Sequence, residues 1–179
     1  RKTFVMHKAL RYKLNIVNDV SGFSYDTKTI DFLKKTKLPL IINHSKGEPK
    51  TMQRKPSYSN VLLEIYDFFE KKIELLRKAG INHNNIILDP GIGFGKSYED
   101  NFRLINQLEK FNGFKLPILI GPSRKSFIGV ALNEEPESRL EGTLAAVAAG
   151  ILRGAQIVRV HDVKQIRKVA KIIDLIRVA

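Results

Sequence analysis

Short apolar runs bounded by polar residues recur along this chain, and chemically able side chains gather where each run ends. The runs over 14–18, 39–43, 85–88, 116–121 and 156–160 are rich in Ile, Val and Leu, the composition of strands buried on both faces. Between them the apolar residues return at helical spacing. A helix-like start runs through Lys13, and helices are predicted over 27–35, 59–79, 99–110 and 141–153, with a last one from Val163. Gly80 stops the long helix before it and Asn112-Gly113 the next, because glycine accepts the left-handed backbone that ends a helix. A loop with Gly47 and Pro49 follows the second strand. Strands alternating with helices at these separations predict right-handed parallel crossovers, hence an α/β fold. No low-complexity linker divides the chain, so 1–179 is read as a single domain.

The polar residues at the strand ends decide between two architectures. Asn18-Asp19 follows the first strand, Asn43-His44 the second and Asp89 the third; Ser123-Arg124-Lys125 follows the fourth, while Arg159 and His161 end the fifth. A doubly wound sheet predicts a GxGxxG turn near its start. The segment GIGFGKS has neither that spacing nor the P-loop spacing, although it ends as a P-loop does. A barrel predicts functional groups at the end of every strand, which is the pattern here. The expected fold is a (β/α)8 TIM barrel, present as an incomplete barrel of five strands with their helices.

Composition narrows the function class. The chain has no cysteine, which excludes a disulfide framework, a thiolate metal site and a thiol nucleophile, and a reducing, cytoplasmic setting is expected. No apolar run is long enough to span a bilayer, and the first residues lack the apolar core and cleavage site of a signal peptide. The formal charge of +13 raises the question of nucleic acid, but the basic residues are spread over helix faces (Lys34, Lys35, Lys71, Lys72, Lys110, Lys168, Lys171) without interleaved aromatics. Neither a nucleic acid nor a membrane is an expected partner; a positive field suits an anionic small substrate.

The segments NIVNDVSGF, GEPKTMQ, ILDPGIGFGKS, GPSRKSFIG and EGTLAAVAAGILRGAQIVRVHDV, in this order and over essentially the whole chain, resemble the dihydropteroate synthase family, pterin-binding barrels of folate synthesis and the target of sulfonamides. SRKSFIG together with RVHDV sets that family apart from pterin-dependent methyltransferases, which share the fold and the DPG-like loop. The resemblance implies condensation of 6-hydroxymethyl-7,8-dihydropterin pyrophosphate with p-aminobenzoate, giving 7,8-dihydropteroate and pyrophosphate, with Mg2+ as cofactor. It also implies that about three βα units of the family's barrel precede this chain, the metal ligand among them. The chain alone is therefore expected to be nearly inactive, and to hold no metal ligand of its own.

The same resemblance distributes roles over the strand ends. Asp89 would accept the paired donors of the pterin's amidine edge, as a carboxylate can, with Asn18 meeting remaining ring nitrogens. Lys125 would face the pterin carbonyl and ring nitrogen. Phe94 and Ser123 would shape the p-aminobenzoate pocket. Arg159 and His161 would bind the pyrophosphate and, with Lys125, act in catalysis. They stand two apart on an extended backbone and so share a side, and the developing charge of a leaving pyrophosphate needs cations. Arg124 is expected to be structural or gating, and His7 and His83 to be surface residues.

One departure is local. Where the family shows a Met-His-Met-Arg-like stretch, this chain reads Asn43-His44-Ser45-Lys46, so the histidine matches and the methionines that would pad the pterin do not. Two other readings remain open from the residues: a pterin-binding methyltransferase domain, and a noncatalytic relic with a polyanion-binding surface. A homodimer is expected through the last helices, where Ile172, Ile173, Leu175, Ile176 and Val178 offer an apolar stripe that would equally serve to cover a barrel.

Overall fold

The computed structural model describes residues 1–47 and 56–179. Pro49 and Thr51-Met52-Gln53 lie outside the described residues. Five short strands carry the architecture: β1 (Val17–Asp19), β2 (Leu40–Asn43), β3 (Ile86–Asp89), β4 (Leu119–Ile120) and β5 (Ile157–Val158). β1 pairs with β2 and β2 with β3, both parallel, and β4 pairs parallel with β5. A parallel bridge from Leu88 to Ile118 joins the two groups, and the Leu88 amide donates to the Pro117 carbonyl at 2.9 Å. The strands thus lie in chain order, without the reversal of order that makes the crevice of a doubly wound sheet.

The last two strands are shorter than the apolar pattern predicts, for local reasons. Pro117 has no amide to give to a ladder, and the Ile118 amide donates to the Gln156 side-chain oxygen at 2.7 Å rather than to a strand partner. The first strand starts three residues later than predicted because Lys13 takes a left-handed backbone (φ 56°), and the ladder begins only where the Val17 amide meets the Pro39 carbonyl.

Alternation along the strands separates two apolar faces. Leu40, Ile42, Ile86 and Leu88 point to the helices and join Phe32, Ile65, Phe69 and Leu104 in the main core. Ile41, Ile87 and Leu119, packed with Ile157, form a separate cluster on the other face. In-register pairing puts Asn43 beside Asp89 on that second face, one pleat beyond Ile41 and Ile87.

The helices are α1 (Thr3–Ala9), α2 (Thr29–Thr36), α3 (Val61–Lys78), α4 (Tyr98–Asn106), α5 (Ser126–Leu132), α6 (Leu140–Leu152) and α7 (Val163–Val178). The predicted helix over 99–110 instead tightens after Asn106 into a 3-10 segment, Leu108–Phe114. The pattern does not set α5 apart. It ends at Asn133, whose φ of 54° closes the turn, and the Arg139 guanidinium then holds the connection by donating to the carbonyls of Glu134 and Arg124. On α3, Asn60 caps the start by accepting from the amides of Leu62 and Leu63 at 3.1 and 3.2 Å. Asn60→Ala is expected to lower stability by about 1 kcal/mol, read as a lower urea midpoint with an unchanged slope.

On α7 only Ile166 and Ile173 are buried, against Val147 and Ile151 of α6, while Ile172, Leu175, Ile176 and Val178 stay exposed. Among the described residues no helix is long and apolar enough to cross a membrane.

Candidate functional site

The carboxyl ends of β2 to β5 converge on the segment that follows β3. Asp89 ends that strand fully buried, and its Oδ1 accepts the Gly91 amide at 2.8 Å, an Asx turn of the kind aspartate forms readily. The glycines after it let this segment lie against the chain leaving β2. A Cβ on Gly91 (φ 72°) would fall 1.9 Å from the His44 carbonyl oxygen, and one on Gly95 (φ 63°) would fall 2.1 Å from that of Lys46. Only glycine fits such a backbone-to-backbone approach at positive φ. Gly93 is held by its amide donating to Asn101 Oδ1 at 2.6 Å.

Six of the seven residues singled out from the sequence meet in three pairs. Arg159 crosses Gly121 and donates from Nη2 to Asp89 Oδ2 at 3.0 Å; its side chain is 38 % exposed, whereas that of Asp89 is fully covered. Burial pushes the Asp89 carboxyl above the ordinary range, opposed by the Arg159 guanidinium and the Gly91 amide. Ser123 is buried, and its Oγ lies 2.9 Å from His161 Nδ1 while accepting the His161 amide at 3.2 Å. The Lys125 ammonium sits 3.7 Å from the centre of the Phe94 ring, a cation–π contact, and burial followed by the nearby Arg159 charge lowers its pKa. Asn18, the seventh, is exposed on β1 beside Ile41.

Arg124 has the structural role expected of it. Its Nε and Nη2 donate to the two carboxylate oxygens of Asp162 at 3.0 and 2.7 Å, which ties the loop after β4 to the loop after β5 in the bidentate fork that arginine favours. His7 and His83 are exposed, as expected.

Sequence reasoning missed Lys96. It ends the GIGFGK segment yet is only 3 % exposed. Its Nζ donates to the Phe94 carbonyl at 3.0 Å and lies 3.0 Å from His44 Nδ1, so one buried ammonium joins the loop after β2 to the loop after β3. Burial is the main reason that its pKa falls to about 7, with Lys125 adding repulsion and Asp89 and Asp100 opposing. His44 is buried too, packed edge-on to Phe68 with centroids 4.9 Å apart. Burial first, then Lys96 and Lys46, depress its pKa to about 2, so at neutral pH the ring is a neutral partner for the ammonium. A lysine within a glycine-rich run carries no periodic signal for burial, so the pattern could not have placed it.

The rim therefore sets the buried Asp89 carboxylate among the cations Arg159, Lys125 and Lys96, with His161 at its edge. That surplus of positive charge suits a ligand that is hydrogen-bond rich at one end and anionic at the other.

The pterin binding enzyme family model matches residues 1–161. Among curated relatives, the dihydropteroate synthase of Synechocystis is 40% identical over 171 residues, 95% of this chain and 59% of the relative. That of Escherichia coli K12 is 38% identical over 173 residues, 97% of this chain and 61% of the relative. Among solved structures, Yersinia pestis dihydropteroate synthase in a sulfonamide drug complex superposes with a TM-score of 0.95 at 36% identity, covering 98% of this chain and 64% of that one. A second Yersinia pestis dihydropteroate synthase structure gives 0.92 at 34% identity, covering 99% and 70%. The chain spans about three-fifths of the length of these curated relatives. It belongs to the pterin-binding enzyme family, and the four relatives just described are dihydropteroate synthases.

Proposed function

We propose that this chain forms the pterin- and pyrophosphate-binding arc of a dihydropteroate synthase, joining 6-hydroxymethyl-7,8-dihydropterin pyrophosphate to p-aminobenzoate. The observation that carries this reading is the Asp89 carboxylate, buried at a strand end beneath the Arg159 guanidinium and flanked by the Lys125–Phe94 contact. Relatives support it: the Coxiella burnetii dihydropteroate synthase structure is a complex with pteroic acid, and that of Xanthomonas albilineans a complex with 7,8-dihydropteroate. Parallel strands in chain order with helices outside support a (β/α)8 barrel, to which this chain contributes five strands.

In the reaction, the bond between the pterin methylene and the pyrophosphate oxygen breaks with its electron pair going to pyrophosphate, and the arylamine nitrogen supplies the pair for the new C–N bond and loses a proton. The chain's residues would act electrostatically, without a covalent intermediate. Arg159 is the key group. It lies over Asp89 in the free protein, so an arriving pterin displaces it, and the freed guanidinium is then placed to take the pyrophosphate beside His161 and Lys125. Phe94 and Ser123 border the arylamine. Asn18, on the exposed strand β1, completes the pterin contacts. Among the described residues no three His, Asp or Glu side chains converge on a common point. Magnesium is usually held by one or two carboxylates together with substrate phosphates, and in this reading it would come with the pyrophosphate instead of resting in a cage built by these residues. The exposed apolar residues of α7 support a homodimer through that helix.

Calorimetric titration with the pterin pyrophosphate tests the reading, with and without magnesium. Binding that inorganic pyrophosphate weakens by competition is the expected result. Absence of binding in both conditions, with the chain folded, would overturn it.

A further inference from the structure

Around His44 the chain carries Asn43 and Ser45 where the family resemblance expects methionines, and Lys46 where it expects an arginine; the structure treats the three differently. Ser45 Oγ donates to the Val20 carbonyl at 3.0 Å. Lys46 Nζ donates to the Ser57 carbonyl at 2.6 Å and to Glu64 at 2.8 Å, and lies 4.1 Å from the centre of the Tyr58 ring. Both are therefore fastened to the protein. Asn43 is not: it is 1 % exposed, and neither its Oδ1 nor its Nδ2 has a hydrogen-bond partner among the described residues.

A buried amide with both ends unmet is uncommon and unfavourable, since each polar atom has given up water without replacement. Its position makes the exception informative. Asn43 is the in-register neighbour of Asp89 on the second apolar face of the sheet, beyond the cluster of Ile41, Ile87 and Leu119. Its Nδ2 lies beside Gly91, within 3.2 Å of where a Cβ would be, and the Gly91 amide holds Asp89 Oδ1. Arg159 Nη1, over the same carboxylate, is likewise buried and unpartnered. Two unmet donors and one unmet acceptor thus surround the carboxylate already assigned to the pterin edge, while Ser45 and Lys46 nearby are satisfied internally.

We propose that Asn43 is a specificity-determining residue of this chain, its amide hydrogen-bonding the bound heterocycle next to Asp89. A fused ring bearing both donors and acceptors meets both ends of an amide, which a thioether at this position could not do. The inference rests on the reading of the site as a pterin pocket.

The test is calorimetric titration of 6-hydroxymethyl-7,8-dihydropterin pyrophosphate into the wild-type chain and into Asn43→Leu, which keeps the branched shape and removes the amide. The expected result is at least tenfold weaker binding in Asn43→Leu with a melting temperature equal to or above that of the wild type. Asn43→Ser, which is smaller and cannot overpack, provides the same comparison if the leucine variant does not fold. Wild-type binding that either folded variant matches overturns the role of Asn43 and leaves the pterin pocket standing. A folded wild-type chain with no affinity for the ligand overturns the pocket, and the role of Asn43 with it.

Discussion

Asp89→Ala is expected to weaken binding of the dihydropterin pyrophosphate by about a hundredfold or more. In the free protein each oxygen of Asp89 accepts one hydrogen bond, from the Gly91 amide and from Arg159; the first keeps a second lone pair for a ligand donor, and the second is freed when the pterin displaces Arg159. Hydrogen bonds to a charged group contribute about 1.5–3 kcal/mol apiece, so two to the amidine edge account for roughly a hundredfold or more in affinity. Asp89→Asn separates binding from folding. It preserves shape and the Gly91 contact, yet it turns one acceptor into a donor aimed at the pterin's own donors, so its affinity should fall nearly as far with little change in melting temperature. The Arg159 guanidinium, 38 % exposed, can rehydrate when its partner is lost, which limits the damage to stability. Arg159→Ala sharpens the test: it uncovers the carboxylate, so the pterin alcohol without pyrophosphate should bind at least as well as to the wild type, while the pyrophosphate form loses affinity. Calorimetry on the three variants with both ligands reads all of this. Wild-type affinity in Asp89→Ala would remove Asp89 from the site.

Much of this site was legible from residue order alone. Short Ile-, Val- and Leu-rich runs with polar ends placed Asp89, Ser123, Lys125, Arg159 and His161 at one rim, because parallel strands joined by helices bring all their carboxyl ends to the same side. What the sequence does not state is which of these side chains face one another. Arg159 and His161 read as a single anion clamp, two apart on a strand, but β5 ends at Val158, and the two side chains diverge to Asp89 and to Ser123. Lys96 was invisible for a related reason: its burial follows from two loops pressed backbone to backbone at Gly91 and Gly95, and it belongs to no periodic face. Asn43 was legible as a strand-end residue, but nothing in the residue order states that its amide is buried without a partner. The strand lengths also escaped the pattern, since Pro117 and the Gln156 side chain end ladders that hydrophobicity alone would continue.

The buried His44–Lys96 contact makes the stability of this protein depend on pH over an unusually wide range. An unfolded histidine takes up a proton as the pH falls through about 6.5, while the folded His44 resists until about 2. Between those values the unfolded chain holds more protons, so stability is lost as the solution is acidified below about pH 6.5. Lys96 acts in the same direction at higher pH. The unfolded ammonium keeps its proton to about 10.4, whereas the folded one releases it near 7, so the penalty of burying that charge is relieved as the pH rises from about 7 to 10. Each unit of separation corresponds to about 1.4 kcal/mol, and the Lys96 contribution over this window is on the order of 3–5 kcal/mol. Tyr58, whose pKa burial raises well above that of an ordinary phenol, reverses the trend above about pH 10, because the unfolded phenol ionises there first. Asp89, whose carboxyl pKa burial raises, acts in the opposite direction at lower pH, so urea unfolding of the wild type is read above neutrality, where stability should climb from about pH 7 to 10 instead of peaking near pH 7. In Lys96→Met the climb between pH 7 and 10 should shrink by most of that amount, leaving the smaller slope due to Lys72 and Lys125, whose pKa values burial also lowers. The acid limb should persist in this variant, since burial is the first cause of the depressed His44 pKa and the Lys96 charge only the second. Equal alkaline slopes in wild type and variant would mean that Lys96 carries its proton in the folded protein throughout, with the three-way contact to His44 and the Phe94 carbonyl strong enough to hold a full charge out of water.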